Sequence, residues 1–172
     1  MAAKRALLCA GFALWGLAAP ALGGGPPPQI PFAFPPVEKT VAVDATAGWV
    51  DTGLDVGAGD ELHFLAFGEI DLQRGNPGAV CGPRGIDLVT VDQPIPDANL
   101  GALVGKVAQL VAARIDEDSG QEVRDEIFAL FLVGEERAVT VPFKGRLYLG
   151  VNENVFNDNG GGFSVVVIRR PR

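Results

Sequence analysis

The chain has 172 residues, of which 48% are hydrophobic and 20% charged, and its formal net charge is −7 at pH 7. This length suits one domain with a substantial core better than two. An acidic chain without a basic stripe argues against partners such as nucleic acid or an anionic lipid surface. Divalent cations and neutral ligands are compatible with this charge.

The N-terminal segment has the three parts of a secretory signal peptide. Lys4 and Arg5 form a charged start, residues 6–19 are apolar, and residues 21–23 offer a small-residue cleavage site. The apolar run is shorter than the about 20 residues that cross a bilayer. We therefore predict a signal peptide at residues 1–23, no membrane span after cleavage, and a secreted or periplasmic protein. An uncleaved N-terminal anchor is the alternative.

Residues 24–36 contain six prolines and two glycines. Such a density excludes a regular helix or strand and predicts a linker or extended arm before a domain at residues 37–172. Cys81 is the single cysteine that remains after cleavage, so an internal disulfide is excluded and stability depends on the core. We expect Cys81 to be a buried thiol, with pairing to another chain as the alternative.

Short apolar runs with period two, separated by turns rich in Gly, Pro and Asp, predict an all-β domain. Strands are predicted at residues 37–44, 47–56, 61–72, 127–134, 137–141, 147–151 and 163–169. The third segment reads as one strand or as two strands broken by Gly68. The segment 127–134 is continuously apolar, which predicts a buried strand. About eight strands in total favour an antiparallel β-sandwich.

Three further segments are less regular. Residues 100–113 fit a helix and a strand equally well, because good helix formers are mixed with two glycines and an alternating pattern. Residues 74–99 hold four prolines and four glycines, which predicts a long loop of the kind that often carries function. The polar, acidic residues 114–126 predict a solvent-exposed excursion.

Six side chains with oxygen atoms crowd eight positions between the last two predicted strands, and three glycines follow. They are Asn152, Glu153, Asn154, Asn157, Asp158 and Asn159. Oxygen ligands that include two carboxylates, on a loop closed by glycine, are what calcium prefers. The same residue types also favour an ordinary hairpin turn, since Asn, Asp and Gly tolerate positive φ. The pattern alone leaves both interpretations open.

Residues for catalysis are scarce. The single histidine, His63, falls in the middle of a predicted strand, and the sequence has no Ser-His-Asp order. Glu153 and Asp158 are the one pair of carboxylates that fits glycoside hydrolysis, but an exposed turn is a poor place to raise a pKa. We therefore predict binding without catalysis.

Four segments in this order cover most of residues 41–168: GWVDTGLDVGAGDELHFLAFGEI, CGPRGID, NLGALVGKV and GRLYLGVNENVFNDNGGGFSVVV. Together they resemble the calcium-dependent galactose-binding lectins of the PA-IL type, which are secreted bacterial β-sandwich proteins. The resemblance implies a jelly-roll variant of the sandwich, similar to galactose-binding domains. It also implies a strand at residues 100–113.

Members of that family hold one calcium ion at the end of the sandwich, and the hydroxyl groups of the sugar complete its coordination. The resemblance implies that side chains and two backbone carbonyls hold the metal here. These metal ligands are Leu72 and Val155, through their carbonyls, and Glu153, Asp158 and Asn159.

The implied ligand is a neutral, galactoside-like carbohydrate or glycoconjugate, contacted by Glu153, Asn154 and Asn159. This sequence has Glu153 where the family has aspartate, and residues 87–97 have no counterpart of the family's sugar-contacting His and Gln. It also has an acidic insertion at residues 113–126. The family often forms homo-oligomers, which makes a homo-oligomer one expectation. The alternative function is a structural or protein-interaction sandwich, in which the sugar site is degenerate and calcium only staples the loop.

Overall fold

The computed structural model describes residues 36–90, 93–116 and 120–172. The predicted signal peptide, and the predicted linker apart from Pro36, lie outside the described residues. The same is true of positions 117–119 within the predicted acidic insertion. In the described ranges, no helix is long and apolar enough to cross a bilayer.

Nine antiparallel β-strands in the described ranges form two sheets, which confirms the predicted all-β sandwich. In chain order they are β1 (Val37–Asp44), β2 (Trp49–Val56), β3 (Glu61–Asp71), β4 (Val80–Cys81), β5 (Leu103–Ile115), β6 (Glu122–Leu132), β7 (Glu136–Thr140), β8 (Gly145–Val151) and β9 (Gly160–Arg170). A short 3₁₀ turn at Pro77–Ala79 precedes β4. The first sheet has the order β1-β9-β3, and the far edge of β3 pairs with β7 and then with β4. The second sheet has the order β2-β8-β5-β6.

The core lies between the two sheets, where alternate side chains of each strand point inward. Leu62 and Phe64 of β3, Leu147 and Leu149 of β8, and Val165 of β9 are fully buried. Burial of side chains of this size contributes about 1.5–3 kcal/mol each. Because this alternation fixes the register of the strands, it also fixes where each strand ends and where the connecting loops meet.

β3 is a single strand, and the division at Gly68 is wrong. Gly68 lies inside β3 with a φ of 108°. A Cβ atom at this position would lie 2.6 Å from the carbonyl oxygen of Gly162 in β9. Glycine at position 68 therefore allows two paired strands to approach closely, rather than ending the strand.

β5 and β6 form a long hairpin whose outer half projects beyond the core. β5 confirms the implied strand at residues 100–113, although it begins at Leu103 and continues to Ile115. Its first six residues are largely buried, whereas the next seven are exposed. The predicted solvent exposure of residues 114–126 is confirmed for most of its described residues, but its two ends are paired strands rather than irregular chain.

β6 also corrects the prediction of a buried strand at residues 127–134. Ile127 and Phe128 are 50% and 58% exposed, although both are large and apolar. The strand instead begins at Glu122 and ends at Leu132. A continuous apolar run indicated burial, but these two residues lie on the projecting part of the hairpin.

Candidate functional site

The loop at residues 152–159 carries the chain from one sheet to the other. It follows β8 of the second sheet and precedes β9 of the first. The hairpin interpretation is therefore wrong, since the two strands of a hairpin pair with each other. β8 pairs instead with β2 and β5, and β9 pairs with β1 and β3.

The glycines that follow this loop belong to β9. A Cβ on Gly161, whose φ is 77°, would lie 2.5 Å from the carbonyl oxygen of Glu69 in β3. A Cβ on Gly162 would lie 2.7 Å from the carbonyl oxygen of Val43 in β1. These glycines let β9 enter between two neighbouring strands beside the loop, and this fixes where the loop ends.

Asn152 holds a neighbouring loop rather than a ligand. Its side chain is fully buried, and its Oδ1 accepts a hydrogen bond of 2.8 Å from the backbone N–H of Ile95. Its Nδ2 donates to the backbone carbonyls of Ile95, Ala98 and Asn99 at 3.1, 3.4 and 3.1 Å. Because this oxygen already has a partner, Asn152 is the member of the oxygen-rich segment that is least suited to bind a cation.

Glu153 and Asn159 lie together in the interior of the site. The Nδ2 of Asn159 donates to Glu153 Oε2 at 3.2 Å and to the carbonyl oxygen of Ala45 at 3.0 Å. Glu153 is 9% exposed and Asn159 is fully buried. The amide group of Asn159 therefore connects the loop to the chain that leaves β1, and it orients the carboxylate.

Two oxygen atoms at this site are buried without a hydrogen-bond partner among the described residues. They are Oδ1 of Asp158 and Oδ1 of Asn159. More than 90% of buried polar groups have a partner, and an unsatisfied group costs about 1–3 kcal/mol. A cation beside these oxygens would remove that cost.

The electrostatics of the site also favour a positive charge. Burial raises the pKa of Glu153, and the nearby charge of Asp158 raises this pKa further, while the hydrogen bond from Asn159 lowers it in part. Burial, together with the charge of Glu153, raises the pKa of Cys81 to about 11. The half-buried Cys81 thiol is therefore protonated at neutral pH and is a weak nucleophile.

A cleft of about 410 Å³ opens beside these groups. Four of the five predicted metal ligands line it, and the fifth, Asn159, is bonded to Glu153. The four are Leu72, Glu153, Val155 and Asp158. Asn154, which was predicted to contact sugar, is exposed and does not line this cleft.

The opposite wall of the cleft comes from the long loop that follows β3. Asn76 and Gln73 supply polar groups, while Ile86 and Leu88 supply an apolar surface. Leu88 is 51% exposed, so a ligand in the cleft has access to it. The cleft is therefore lined by the carboxylates of Glu153 and Asp158 and by a mixed polar and apolar surface from this loop.

Arg74 stabilises the site through two hydrogen bonds, and no sequence pattern predicted this role. Its backbone N–H donates to the carbonyl of Asp158 at 3.0 Å, and its Nε donates to the carbonyl of Asn159 at 2.8 Å. The residues are more than 80 positions apart in the chain. No local signal in the sequence could identify this contact, because it depends on the pairing of β3 with β9.

Across the part of the chain that the structure describes, no three His, Cys, Asp or Glu side chains cluster in a way that could hold a metal ion. A cation at this loop would therefore combine two carboxylates with amide and carbonyl oxygens. Such mixed oxygen ligands suit calcium rather than zinc or copper.

No protein-family model matches the chain, and no curated protein matches it. Among solved structures, the chain is similar to a domain described as "EclA N-terminal domain; PllA-like lectin". The two are 24% identical and superpose with a TM-score of 0.51, over 76% of this chain and 95% of that domain. The antiparallel sandwich described above is thus the fold of a domain that is described as a lectin.

Proposed function

We propose that this protein binds a neutral carbohydrate through a calcium ion held at the loop 152–159, without catalysis. The observation that carries the proposal is the pair of buried, unsatisfied Oδ1 atoms of Asp158 and Asn159 beside the buried Glu153. Three oxygen-bearing groups in this arrangement are costly without a cation and are stabilised by one.

Calcium fits the residues that are present. Glu153 and Asp158 would supply charged oxygens, Asn159 a neutral side-chain oxygen, and Leu72 and Val155 backbone carbonyls. Calcium takes six to eight oxygens, so these five groups would leave positions for two hydroxyl groups of a sugar. A bound ion would supply a positive charge that attracts hydroxyl oxygens.

The residues around the metal site would orient the sugar. Asn76 and Gln73 can form hydrogen bonds with hydroxyl groups, and Leu88 and Ile86 can contact an apolar face of the sugar ring. Such a site is open to water, so we expect weak affinity at a single site and stronger binding to multivalent ligands.

The resemblance to PA-IL-type lectins supports a galactoside-like ligand and a secreted or periplasmic location. The similarity to a domain described as a PllA-like lectin supports carbohydrate as the ligand class.

The test is binding to a glycan array and calorimetric titration, each with calcium and with a chelator. We expect calcium-dependent binding that is lost in the double variant Glu153→Ala/Asp158→Ala. The matched control is Glu38→Ala/Glu61→Ala, which removes two exposed carboxylates at the opposite end of the sandwich. Calcium affinity that is unchanged in the site variant would overturn the assignment of the metal ligands.

A second function is a structural or protein-interaction sandwich, in which calcium stabilises the loop and no sugar is bound. Asn154 lies outside the cleft, and the wall that holds the family's polar sugar contacts is here partly apolar at Ile86 and Leu88. In that case calcium would bind and stabilise the protein, and no glycan on the array would be retained. The same two measurements therefore separate the two functions.

A further inference from the structure

The outer face of the second sheet, which points away from the core, carries a groove of about 380 Å³. None of the residues that line this groove lines the cleft beside Glu153. The groove is therefore separate from the site proposed above for calcium. Its main lining residues come from β2, β5, β6 and the loop before β5, and they are Trp49, Pro94, Lys106, Arg124, Glu126 and Phe128.

Lys106 lies beside two aromatic side chains on this face. Its Nζ is 4.8 Å from the ring centroid of Trp49 and 4.9 Å from that of Tyr148. These cation–π contacts hold the ammonium group in place without neutralising its charge. No ion pair joins Lys106 to a carboxylate in the part of the chain that the structure describes. The groove thus contains a positioned positive charge without a negative partner.

The other two cations of this face differ from Lys106 in this respect. Arg146 bonds Asp51 at 2.7 and 3.2 Å and also bonds Asp55, while Arg124 bonds Glu122 at 3.2 Å. A carboxylate on a ligand would therefore complement Lys106. The net charge of −7 does not prevent this pairing, because physiological salt screens exposed charges beyond about 8 Å.

The groove also offers flat apolar surface. Phe128 is 58% exposed, and Leu130 is half-buried beside Lys106, its partner in the sheet. A Cβ on Gly150 would lie 3.0 Å from the ring of Trp49, so glycine at this position leaves room for the indole to lie against the sheet. Such rings can pack against the C–H face of a sugar ring, because that face is apolar.

The loop that carries Pro94 is held by buried amide groups. The Nε2 of Gln93, which is 5% exposed, donates to the carbonyls of Ile95 and Pro96 at 3.1 and 3.3 Å. The side chain of Asn152 both accepts from and donates to the backbone of Ile95. This part of the groove is therefore ordered before a ligand arrives, which lowers the entropic cost of binding.

We propose that this groove binds a saccharide that bears a carboxylate, without calcium. The carboxylate would pair with Lys106, and sugar rings would pack on Trp49 and Phe128. Arg124 and Glu126 line the same groove and can form hydrogen bonds with hydroxyl groups. Along β6 these residues extend over about 20 Å, which is longer than one monosaccharide. The site goes beyond the calcium-dependent binding of a neutral sugar and does not depend on it.

The test is calorimetric titration of the full chain with trigalacturonate in EDTA, which removes calcium. The uncharged methyl ester of the same trisaccharide is the control ligand and should bind about tenfold or more weakly. Lys106→Met should lower the affinity for the acid by a similar factor and leave the affinity for the ester unchanged, whereas Lys106→Arg should retain binding of the acid. The matched control is Lys144→Met, which removes an exposed cation outside the groove and should bind as wild type.

Trp49→Ala should weaken the binding of both the acid and the ester, because it removes a packing surface that both share. Thermal unfolding of each variant shows whether the sandwich is intact. Absence of binding to the acid in EDTA overturns the proposal, and so does equal affinity for acid and ester or an unchanged affinity in Lys106→Met. Benzoate that binds as tightly as trigalacturonate also overturns it, since the ligand class is then an aromatic acid. Binding to glycans in calcium is a separate measurement, so the two proposed sites can fail independently.

Discussion

The side-chain amide of Asn159 donates to the carboxylate of Glu153 across 3.2 Å, and this bond leaves the other end of the amide, Oδ1, buried and without a partner in the described residues. One hydrogen bond thus organises two potential ligands at once. It holds the carboxylate in place, and the same amide group carries a buried oxygen without a partner in the described residues.

Replacement of Glu153 by Gln should affect the free and calcium-bound proteins in opposite ways. Without calcium, the free energy of unfolding should rise by up to about 1 kcal/mol, because the variant removes a buried charge that is desolvated and is repelled by Asp158. With calcium, the increase in melting temperature should be lost, because the charged ligand is gone. Calorimetry with calcium and with chelator measures both effects.

Glu38→Gln is the matched control for this variant, since it changes an exposed residue of β1 in the same way. It should behave as wild type under both conditions. An undiminished effect of calcium on Glu153→Gln would show that Glu153 is not a ligand.

The stabilisation by calcium should depend on pH. Burial, with the charge of Asp158, raises the pKa of Glu153, so the folded protein binds this proton more tightly than the unfolded chain does. This group's contribution to stability is therefore present at low pH and is lost as pH rises from its ordinary pKa through the raised one.

Calcium competes with that proton, so the increase in melting temperature on adding calcium should shrink as pH falls through the same range. Thermal unfolding at several values between about pH 4 and 7, with and without calcium, tests this prediction. The difference between the two curves cancels groups that do not touch the ion. A calcium effect that is constant across this range would contradict the prediction.

Asn152→Ala should lower the free energy of unfolding by about 2–3 kcal/mol, because the N–H of Ile95 loses its partner and the carbonyls of Ile95, Ala98 and Asn99 each lose one donor. The amide hydrogen of Ile95 should also exchange faster. Urea denaturation and hydrogen exchange are the measurements. The exposed Asn154→Ala is the control and should change stability by less than about 0.5 kcal/mol. Equal effects of the two variants would contradict the role of Asn152.

Asp60 should stabilise the other end of the sandwich. It is 4% exposed and accepts hydrogen bonds from Arg169 Nε at 2.7 Å, Gly57 N–H at 2.8 Å and Arg172 N–H at 3.2 Å. Burial alone would raise its pKa, but these hydrogen bonds and the charge of Arg169 together outweigh burial, and the pKa is lowered. Asp60→Ala should cost about 2–4 kcal/mol at neutral pH, because Arg169 loses its partner.

A group with a lowered pKa stabilises the protein above its unfolded-state pKa, and this contribution is lost as pH falls through the folded-state pKa. The difference in unfolding free energy between wild type and Asp60→Ala should therefore shrink in acid. Urea denaturation at neutral pH and at about pH 3 measures it. An equal difference at both pH values would contradict the role of the charge.

The sequence predicted most of the fold because its strands are half-buried and alternate. Val41 and Val43 of β1 and Leu147 and Leu149 of β8 follow period two, and their strands lie where the pattern indicates. The exposure of Phe128 was not predicted, because the burial of a strand residue depends on which other part of the chain covers the strand. An apolar run carries no information about whether a second sheet reaches that far.

The oxygen-rich segment could be found from the sequence, but the roles of its members could not. Asn152 and Asn159 are both fully buried asparagines, and only their long-range contacts distinguish them. The side-chain oxygen of Asn152 accepts a hydrogen bond from Ile95. The side-chain nitrogen of Asn159 instead donates to Ala45 and Glu153, and its oxygen has no partner in the described residues. Composition and spacing contain neither contact, because both depend on how the two sheets are stacked.

The route of the chain through the loop 152–159 has a mechanical consequence. β9 lies between two neighbours in one sheet, and the loop joins it to β8, which lies between two neighbours in the other. A force that pulls the C-terminal end must therefore shear β9 from β1 and β3 before the load reaches β8. An ion bound in this loop would couple the detachment of β9 to the detachment of β8. A bound ion should therefore raise the unfolding force in a single-molecule pulling measurement.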